Sequence, residues 1–396
     1  VAVGATDGYR SDAAVWTSTD GVTWTRVESD SFAGVANEVG NDEDQFMTDV
    51  VAVPAGIVAV GADGAVSMFV SSNPPLPNGN AAVWVSADGT TWARTSETTL
   101  ESDGYQVMQG VAAGPGGLVA VGSTVTDPGA GGLGRAAAWT SDDGLTWTPV
   151  PDADLPQPPP PDEPGIPASA GMTDVVWWSD RFVAVGATLP EWGFSDYSKP
   201  AIWTSPDGRS WDLVHVGDRG WIDTLATTRN GVLALGNRWG DAPTPLAWIS
   251  VDGSTWQRVD TALFETVDPD DAHWATFVTA TSEGYLAIGH TAGSRASNYY
   301  SLAAPHKATP EIWGSTDGVT WHLIAELGQV SRVPAVTDAV RTVMGEVLVL
   351  GDVAIAVGSD GVYQSQEAEG LHNFCRVVYS GWCRTDAAVW IGTFDS

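Results

Sequence analysis

Short apolar runs alternate with polar and glycine-rich breaks along the whole chain, and helical periodicity is hard to find. The runs are rich in Val, Ala, Leu and Trp and are bounded by Gly, Pro, Asp or Ser, which is how the strands of an all-β chain read. Four kinds of run recur in a fixed order, here called strands a to d from the channel outward. Strand a begins with an acid in Thr48-Asp49-Val50-Val51, Thr173-Asp174-Val175-Val176, Ile222-Asp223-Thr224-Leu225 and Thr337-Asp338-Ala339-Val340. Gly110 and Thr276 occupy the matching places in two other repeats. Strand b ends in glycine: Val58-Ala59-Val60-Gly61, Val119-Ala120-Val121-Gly122, Val183-Ala184-Val185-Gly186, Leu233-Ala234-Leu235-Gly236 and Leu286-Ala287-Ile288-Gly289. Strands c and d each carry a tryptophan.

The link from c to d is the most regular stretch of the chain. It reads Ser18 to Trp24, Ser86 to Trp92, Ser141 to Trp147, Ser205 to Trp211, Ser250 to Trp256 and Ser315 to Trp321, each of the form Ser-x-Asp-Gly-x-Thr/Ser-Trp. A further Trp stands two residues before each Ser, and Trp390 ends the chain without the rest of the motif. Asp-Gly between two strand patterns predicts a tight turn: glycine takes the positive φ, and aspartate binds the turn's own amides. The aspartates are therefore expected to be structural.

This motif resembles the Asp box, or BNR repeat, of sialidase-like β-propellers, usually written Ser-x-Asp-x-Gly-x-Thr-Trp; here it is one residue shorter. The resemblance covers nearly the whole chain. It implies an all-β β-propeller of four-stranded antiparallel blades in a single domain over residues 1–396. Counting c-strand tryptophans gives seven blades, with six plus an extra hairpin as the alternative. Residues 1–27 supply strands b, c and d of the first blade, and five complete blades end near 95, 150, 214, 259 and 324. The last stretch supplies a (335–343), b (346–351) and c (386–392), with Val353 to Val357 and Asp360-Gly361 read as an extra strand and turn.

The a–b and c–d links are short and uniform, whereas the b–c loops are long and unlike one another. They run over about 62–80, 123–135, 187–199, 237–245, 290–309 and 358–385. The d–a loops at 28–46, 151–171 and 260–273 are long too, the second holding a stiff proline-rich insertion. In a propeller both loop types leave the same face. Ligand-contacting residues gather on variable loops held by a rigid scaffold, so function is expected there.

Charge narrows the choice of partner. The chain has 17 Lys plus Arg against 49 Asp plus Glu, a formal net charge of −32. Such a surface repels nucleic acid and anionic lipid and favours cations or basic partners. No apolar run approaches a membrane span. Cys375 and Cys383 are expected to form a local disulfide in an oxidising compartment, which places the chain outside the cell or on its surface. Val1-Ala2-Val3-Gly4 reads as the middle of a repeat, so an export signal and one strand are expected upstream.

Candidate chemistry follows from these loops. Asp49, Asp174, Asp223 and Asp338 could form a partial acidic ring at the channel mouth, or tie backbone amides. Trp192, Tyr197, Trp239, Tyr299 and Tyr300 on b–c loops offer flat amphipathic rings suited to a sugar or peptide, or pack the loops themselves. Asp42, Asp44, Asp268 and Asp270 crowd acids on d–a loops and are the candidate calcium ligands. Neither group follows an EF-hand spacing, and solvated loops are the plainer reading. No other cofactor is implied. A sialidase is expected to place three arginines around its substrate carboxylate, but Arg341 is the one arginine assigned to a strand a. Arg332-Val333-Pro334 is similar to the family's Arg-Ile-Pro element, yet it follows the last box rather than preceding the first. Sialidase activity is therefore not expected. The six histidines lack zinc-ligand spacing, and nucleophile elbows, P-loops and dinucleotide fingerprints are absent from the sequence. The sequence thus reads as a secreted, non-catalytic propeller holding a glycan or protein on its long-loop face. Its rivals are a glycoside hydrolase or lyase using loop carboxylates such as Glu191 and Glu265, and a structural subunit of an extracellular assembly.

Overall fold

The alternating runs become strands, and the boxes become the links that fix their spacing. The computed structural model describes residues 1–6, 12–21, 23–33, 45–64, 79–96, 100, 104–125, 134–159, 169–189, 198–238, 244–259, 272–292, 310–326, 340–350, 353–362 and 384–393. Among them, 26 strands form five four-stranded and two three-stranded antiparallel sheets. The first sheet holds β1 (Ala2–Ala5), β2 (Ala13–Thr17) and β3 (Thr25–Val27). The second holds β4 (Gln45–Val53), β5 (Gly56–Asp63), β6 (Asn80–Ser86) and β7 (Trp92–Arg94). The third holds β8 (Tyr105–Gly114), β9 (Gly117–Val125), β10 (Gly134–Ser141) and β11 (Thr148–Pro149). The fourth holds β12 (Ser169–Trp178), β13 (Arg181–Leu189), β14 (Lys199–Ser205) and β15 (Asp212–Val216). The fifth holds β16 (Trp221–Thr228), β17 (Gly231–Arg238), β18 (Thr244–Ser250) and β19 (Gln257–Arg258). The sixth holds β20 (Ala272–Ala280), β21 (Tyr285–Ala292), β22 (Pro310–Ser315) and β23 (His322–Glu326). The last holds β24 (Val340–Leu350), β25 (Val353–Val362) and β26 (Arg384–Thr393). The fold class is the all-β propeller of antiparallel blades. The chain divides into two compact units, one of Val1–Thr6, Arg10–Ile222 and Asp252–Thr255, the other of Asp7–Tyr9, Asp223–Val251 and Trp256–Ser396.

The first and last sheets have three strands, lacking a and d respectively, as expected from the sequence. Their internal assignment differs at the C-terminal end. Strand a is the single strand β24, whose register shifts between Met344 and Glu346. Strand b is β25, which runs straight through Asp360-Gly361. The break expected near residue 345 is thus a bulge, and the expected extra hairpin is the ordinary second strand.

The c–d link is not a two-residue turn. In the third sheet Thr140 pairs with Thr148, leaving a seven-residue loop, Ser141 to Trp147, that closes on itself. Asp143 Oδ1 accepts the amides of Leu145 (2.8 Å) and Thr146 (2.7 Å) and the Ser141 hydroxyl (3.1 Å). Ser141 Oγ accepts the Gly144 amide (2.8 Å), and Trp147 Nε1 donates to the Gly144 carbonyl (3.2 Å). The second, fourth and sixth boxes repeat this pattern. All six box glycines have φ between 72° and 77°.

Each described sheet-to-sheet core puts the c-strand tryptophan of one sheet against strand b of the sheet before it. Trp84 shares its core with Val3, and also with Ala13 and Val15 of strand c, Trp139 with Val58 and Val60, and Trp203 with Val119 and Val121. In the second unit Trp313 packs with Leu233 and Leu235. These four tryptophans are at most 1% exposed. The d–a connections wedge into the same cores through Phe32, Leu100 and Leu155. Trp84 Nε1 donates to Ser31 O (2.9 Å), and Trp203 Nε1 donates to Pro156 O (2.8 Å).

The box reaches the same seam. A Cβ at Gly144 would stand 2.9 Å from Val58 Cγ2 of the preceding sheet, and one at Gly208 would run into Val119. Left-handed backbone costs a non-glycine residue about 1–2 kcal/mol, and overpacking adds about 1–3 kcal/mol. Gly144→Ala and Gly208→Ala are therefore expected to lower unfolding free energy by roughly 2–4 kcal/mol each. Gly116→Ala, where no atom lies within 4 Å, should change it by under about 0.5 kcal/mol. Urea unfolding monitored by tryptophan fluorescence checks this, and equal midpoints for Gly144→Ala and Gly116→Ala would show that the box does not act as a wedge.

Candidate functional site

Register places every long connection at one end of its sheet. In the second sheet Gln45 pairs with Asp63 and Asp63 with Asn80, so the start of a, the end of b and the start of c coincide. The same holds at Tyr105/Val125/Gly134, Ser169/Leu189 and Ala272/Ala292. The opposite end holds the boxes and the short a–b turns, such as Ser179-Asp180 between Trp178 and Arg181.

Asp49, Asp174 and Asp223 sit within their strands rather than at the rim, because β4, β12 and β16 begin earlier than the Asp. In β4, β8, β12 and β20 the pairing slips by one residue, at Thr48, Gln109, Thr173 and Thr276. The hydroxyl proton of Thr48 is shared between Val60 O (3.1 Å) and Met108 O of the next strand a (2.8 Å). Thr173 does the same with Val185 O (3.2 Å) and Ile222 O (2.8 Å). Asp49 then accepts the Val50 amide (2.7 Å) and, across the seam, the Val111 amide (2.7 Å). Asp174 accepts the Val175 amide (2.6 Å), and Asp223 accepts from Asn237 Nδ2 (2.9 Å). The slip also corrects the alignment. Thr276 corresponds to Thr48 and Thr173, so the residue matching Asp49 is Phe277, while Gly110 matches it as expected. A side chain at Gly110 would press on the Asp174 backbone, 3.0 Å away. The bulge also explains the glycine that ends strand b. A Cβ at Gly61, Gly122, Gly186 or Gly289 would collide with the strand-a carbonyl of Phe46, Val107, Gly171 or Trp274.

Asp338, Trp192, Tyr197, Trp239, Tyr299, Tyr300, the acids Asp42, Asp44, Asp268 and Asp270, and Cys375 with Cys383 lie outside the described residues. What the structure shows at the long-loop end is the set of roots from which those loops spring. Buried polar side chains pair there across strands. Gln45 Nε2 donates to Asp63 Oδ1 (3.2 Å), and Arg94 pairs with Asp63 Oδ2. Asn237 brackets Ala275, donating to its carbonyl (2.8 Å) and accepting its amide (2.9 Å). His273 Nδ1 donates to Glu311 Oε2 (2.9 Å), an oxygen that also accepts from Trp313 Nε1 (3.3 Å). Both partners are buried, His273 at 6% and Glu311 at 1% exposure. The ring of Trp274 stacks on His290 at 12° with centroids 6.4 Å apart. Sequence reading missed these groups. Their partners are as many as 38 residues apart, and the signal available was only that each stands at the mouth of a long loop. These polar groups satisfy one another within the scaffold and so hold the loop roots in place. His215, on the outer strand β15, has its pKa lowered by burial, which outweighs the opposing pull of Asp218. No helix among the described residues is long and apolar enough to cross a membrane.

No protein-family model matches the chain, and no curated protein matches it. Solved structures do match. Trypanosoma rangeli sialidase is similar at TM-score 0.49 and 11% identity, over 90% of this chain and 57% of its own. A GH43 endo-arabinanase from Bacillus licheniformis is similar at TM-score 0.36 and 12% identity, over 74% of this chain and 95% of its own. A Bombyx mori GH32 beta-fructofuranosidase is similar at TM-score 0.36 and 13% identity, over 78% of this chain and 69% of its own. The chain spans less than two thirds of the sialidase. The resemblance is one of fold.

Removing one member of a buried pair leaves the other unsatisfied, at a cost of about 3–5 kcal/mol. Glu311→Ala is therefore expected to destabilise the protein by that amount, against under about 0.5 kcal/mol for the exposed Glu283→Ala. Chemical denaturation of both variants checks it. Equal stabilities would mean that the His273–Glu311 pair anchors nothing.

Proposed function

We propose that this chain is a glycan-recognising propeller that carries its ligand at the long-loop end of its sheets. One observation supports this above others: every described b–c and d–a connection leaves from the same end, and there the sequence is long, irregular and aromatic. The other end is nearly invariant from repeat to repeat. A uniform scaffold with one variable end is how binding loops are presented. Trp192, Tyr197 and Trp239 supply flat rings with polar edges, and the neighbouring loop acids supply acceptors for sugar hydroxyls. The strand-a aspartates serve this reading as scaffold, since Asp49 and Asp174 bind backbone amides. The reading places the protein outside the cell, with Cys375 and Cys383 joined and calcium as the candidate ion of the acidic d–a loops.

A second reading, glycoside hydrolysis, draws on Glu191, which stands beside Trp192 in the same loop, and on Glu265. Two loop carboxylates at a suitable separation are the minimum that this chemistry needs.

The test is a glycan array probed with calcium and again with chelator, followed by chromatography of the bound glycans after incubation. Binding without products is expected. Trp192→Ala, Tyr197→Ala or Trp239→Ala should weaken it at least about tenfold, as loss of an aromatic anchor does. Shortened glycans, abolished by Glu191→Gln, would establish hydrolysis instead. An array silent under both conditions would remove both readings.

A further inference from the structure

Every box carries an Asp-Gly step, and that step is a chemical weak point of any polypeptide. The glycine amide nitrogen can attack the side-chain carboxyl of the aspartate before it. An N–Cγ bond forms, the nitrogen gives up its proton, and the carboxyl loses an oxygen as water. The product is a cyclic succinimide. Water then opens the ring at the former main-chain carbonyl and leaves isoaspartate, whose main chain runs through the side chain and is one carbon longer. Water is the sole reagent. Glycine is the favoured follower because it has no side chain to hinder the attack.

The boxes present this step to solvent. Asp88, Asp143, Asp207 and Asp317 are exposed, while the glycine after each is buried. Each of those glycine amides is already engaged. Gly89 donates to Ser86 Oγ, Gly144 to Ser141 Oγ and Gly208 to Ser205 Oγ, each at 2.8 Å, and Gly318 donates to Ser315 Oγ at 2.9 Å. Gly21 does the same with Ser18 Oγ at 2.8 Å. Ser86, Ser141, Ser205 and Ser315 are at most 5% exposed. The bond therefore lies on the dry side of the loop, away from any dissolved base that would take the amide proton.

The carboxyl is held by other partners. Asp88 Oδ1 accepts the amides of Thr90 and Thr91, each at 2.7 Å, and Asp143 Oδ1 accepts those of Leu145 and Thr146. Asp207 and Asp317 repeat this with Arg209 and Ser210, and with Val319 and Thr320. Such bonds favour the ionised form, which is the poorer electrophile because attack must expel an oxygen as water. In line with this, the Thr146 and Leu145 amides lower the pKa of Asp143. Nucleophile and electrophile are neighbours in sequence, yet each is tied to a different group.

A lapse would reach the core. Gly144 abuts Val58 and Leu118 at the seam, and Gly208 abuts Val119. One more main-chain carbon at Asp143 or Asp207 would push the glycine out of that contact. We propose that the boxes are latent isoaspartate sites held shut by their serines: Ser141 and its counterparts keep the glycine amide from the carboxyl, so the folded propeller resists a modification that its opened loops undergo.

The test follows isoaspartate in the intact chain during prolonged incubation at body temperature and neutral pH. Labelling by an isoaspartyl methyltransferase, followed by peptide chromatography, reads each box separately. Ser141→Ala should raise the rate at Asp143 at least about fivefold, the barrier equivalent of a hydrogen bond worth about 1 kcal/mol. Asp88 in the same molecule should keep its wild-type rate. Thr146→Val loosens the same loop by removing the Thr146 hydroxyl from Asp143 Oδ2 (3.3 Å). It leaves the glycine amide bonded to Ser141, so the rate at Asp143 should stay near the wild-type value. No rise in Ser141→Ala, or an equal rise in Thr146→Val, would overturn the proposal. Should Ser141→Ala fail to fold, the wild-type chain decides. Unfolding it in urea should speed isomerisation at Asp88, Asp143, Asp207 and Asp317 together, and equal rates in the folded and unfolded chain would show that the serines guard nothing.

Discussion

The structure depends on one small arrangement, a carboxylate that accepts two backbone amides of its own loop. Asp143 with Leu145 and Thr146 is the type example. That bond fixes the chain reversal between strands c and d without help from outside. Once the loop is closed, Gly144 stands in left-handed backbone against Val58 of the preceding sheet, and Trp147 is drawn to the Gly144 carbonyl. Local chemistry and sheet packing are therefore set by the same seven residues. This is why the motif tolerates change at its second and fifth positions, where Val251 and Leu145 lie exposed, and at few others.

A second tie works at the inner strands, by different means. A bulge pushes a threonine hydroxyl between a carbonyl of its own strand b and a carbonyl of the next strand a, and Asp49, which follows Thr48, reaches the Val111 amide of that next strand. Where the sequence has Gln109-Gly110 in place of Thr-Asp, the seam instead uses closeness, with Gly110 against the Asp174 backbone. Outer links thus tie through the box, inner strands through the bulge, and the tryptophans fill the space between. Each described seam repeats this economy of means, which is what an array of near-identical units requires: a repeat cannot bury its own faces alone.

What could be read from the sequence follows from what repeats. The boxes, the glycine that ends strand b, the paired tryptophans and the three-stranded first and last sheets all announce themselves by period. The bulge does not, because one inserted residue changes pairing without changing composition. That is why Thr276 was matched with Asp49, and why 335–343 and 346–351 read as two strands although residues 340–350 are the single strand β24. Asp360-Gly361 shows the same limit in reverse: a turn signal that tertiary pairing overrides inside β25. The candidate site was legible only in outline. Loop lengths located it at one end of the sheets, but pairs such as His273 and Glu311 join strands 38 residues apart and belong to no period.

The division between the two ends has a physical consequence. Among the described residues the self-closing loops sit at the box end and the threonine bulges along the inner strands, so the opposite end carries a smaller share of holding sheets together, through ties such as Asn237 to Ala275. Lengthening a loop there adds only a slowly growing closure entropy, about 0.6 kcal/mol per doubling. The buried pairs at the loop roots confine even that disturbance, since Gln45–Asp63–Arg94, Asn237 with Ala275, and His273–Glu311 each fix the point at which a loop departs. Such a scaffold can carry loops of any composition without renegotiating its core. The acidity and aromatic content of these loops are then free to answer to a ligand rather than to the fold.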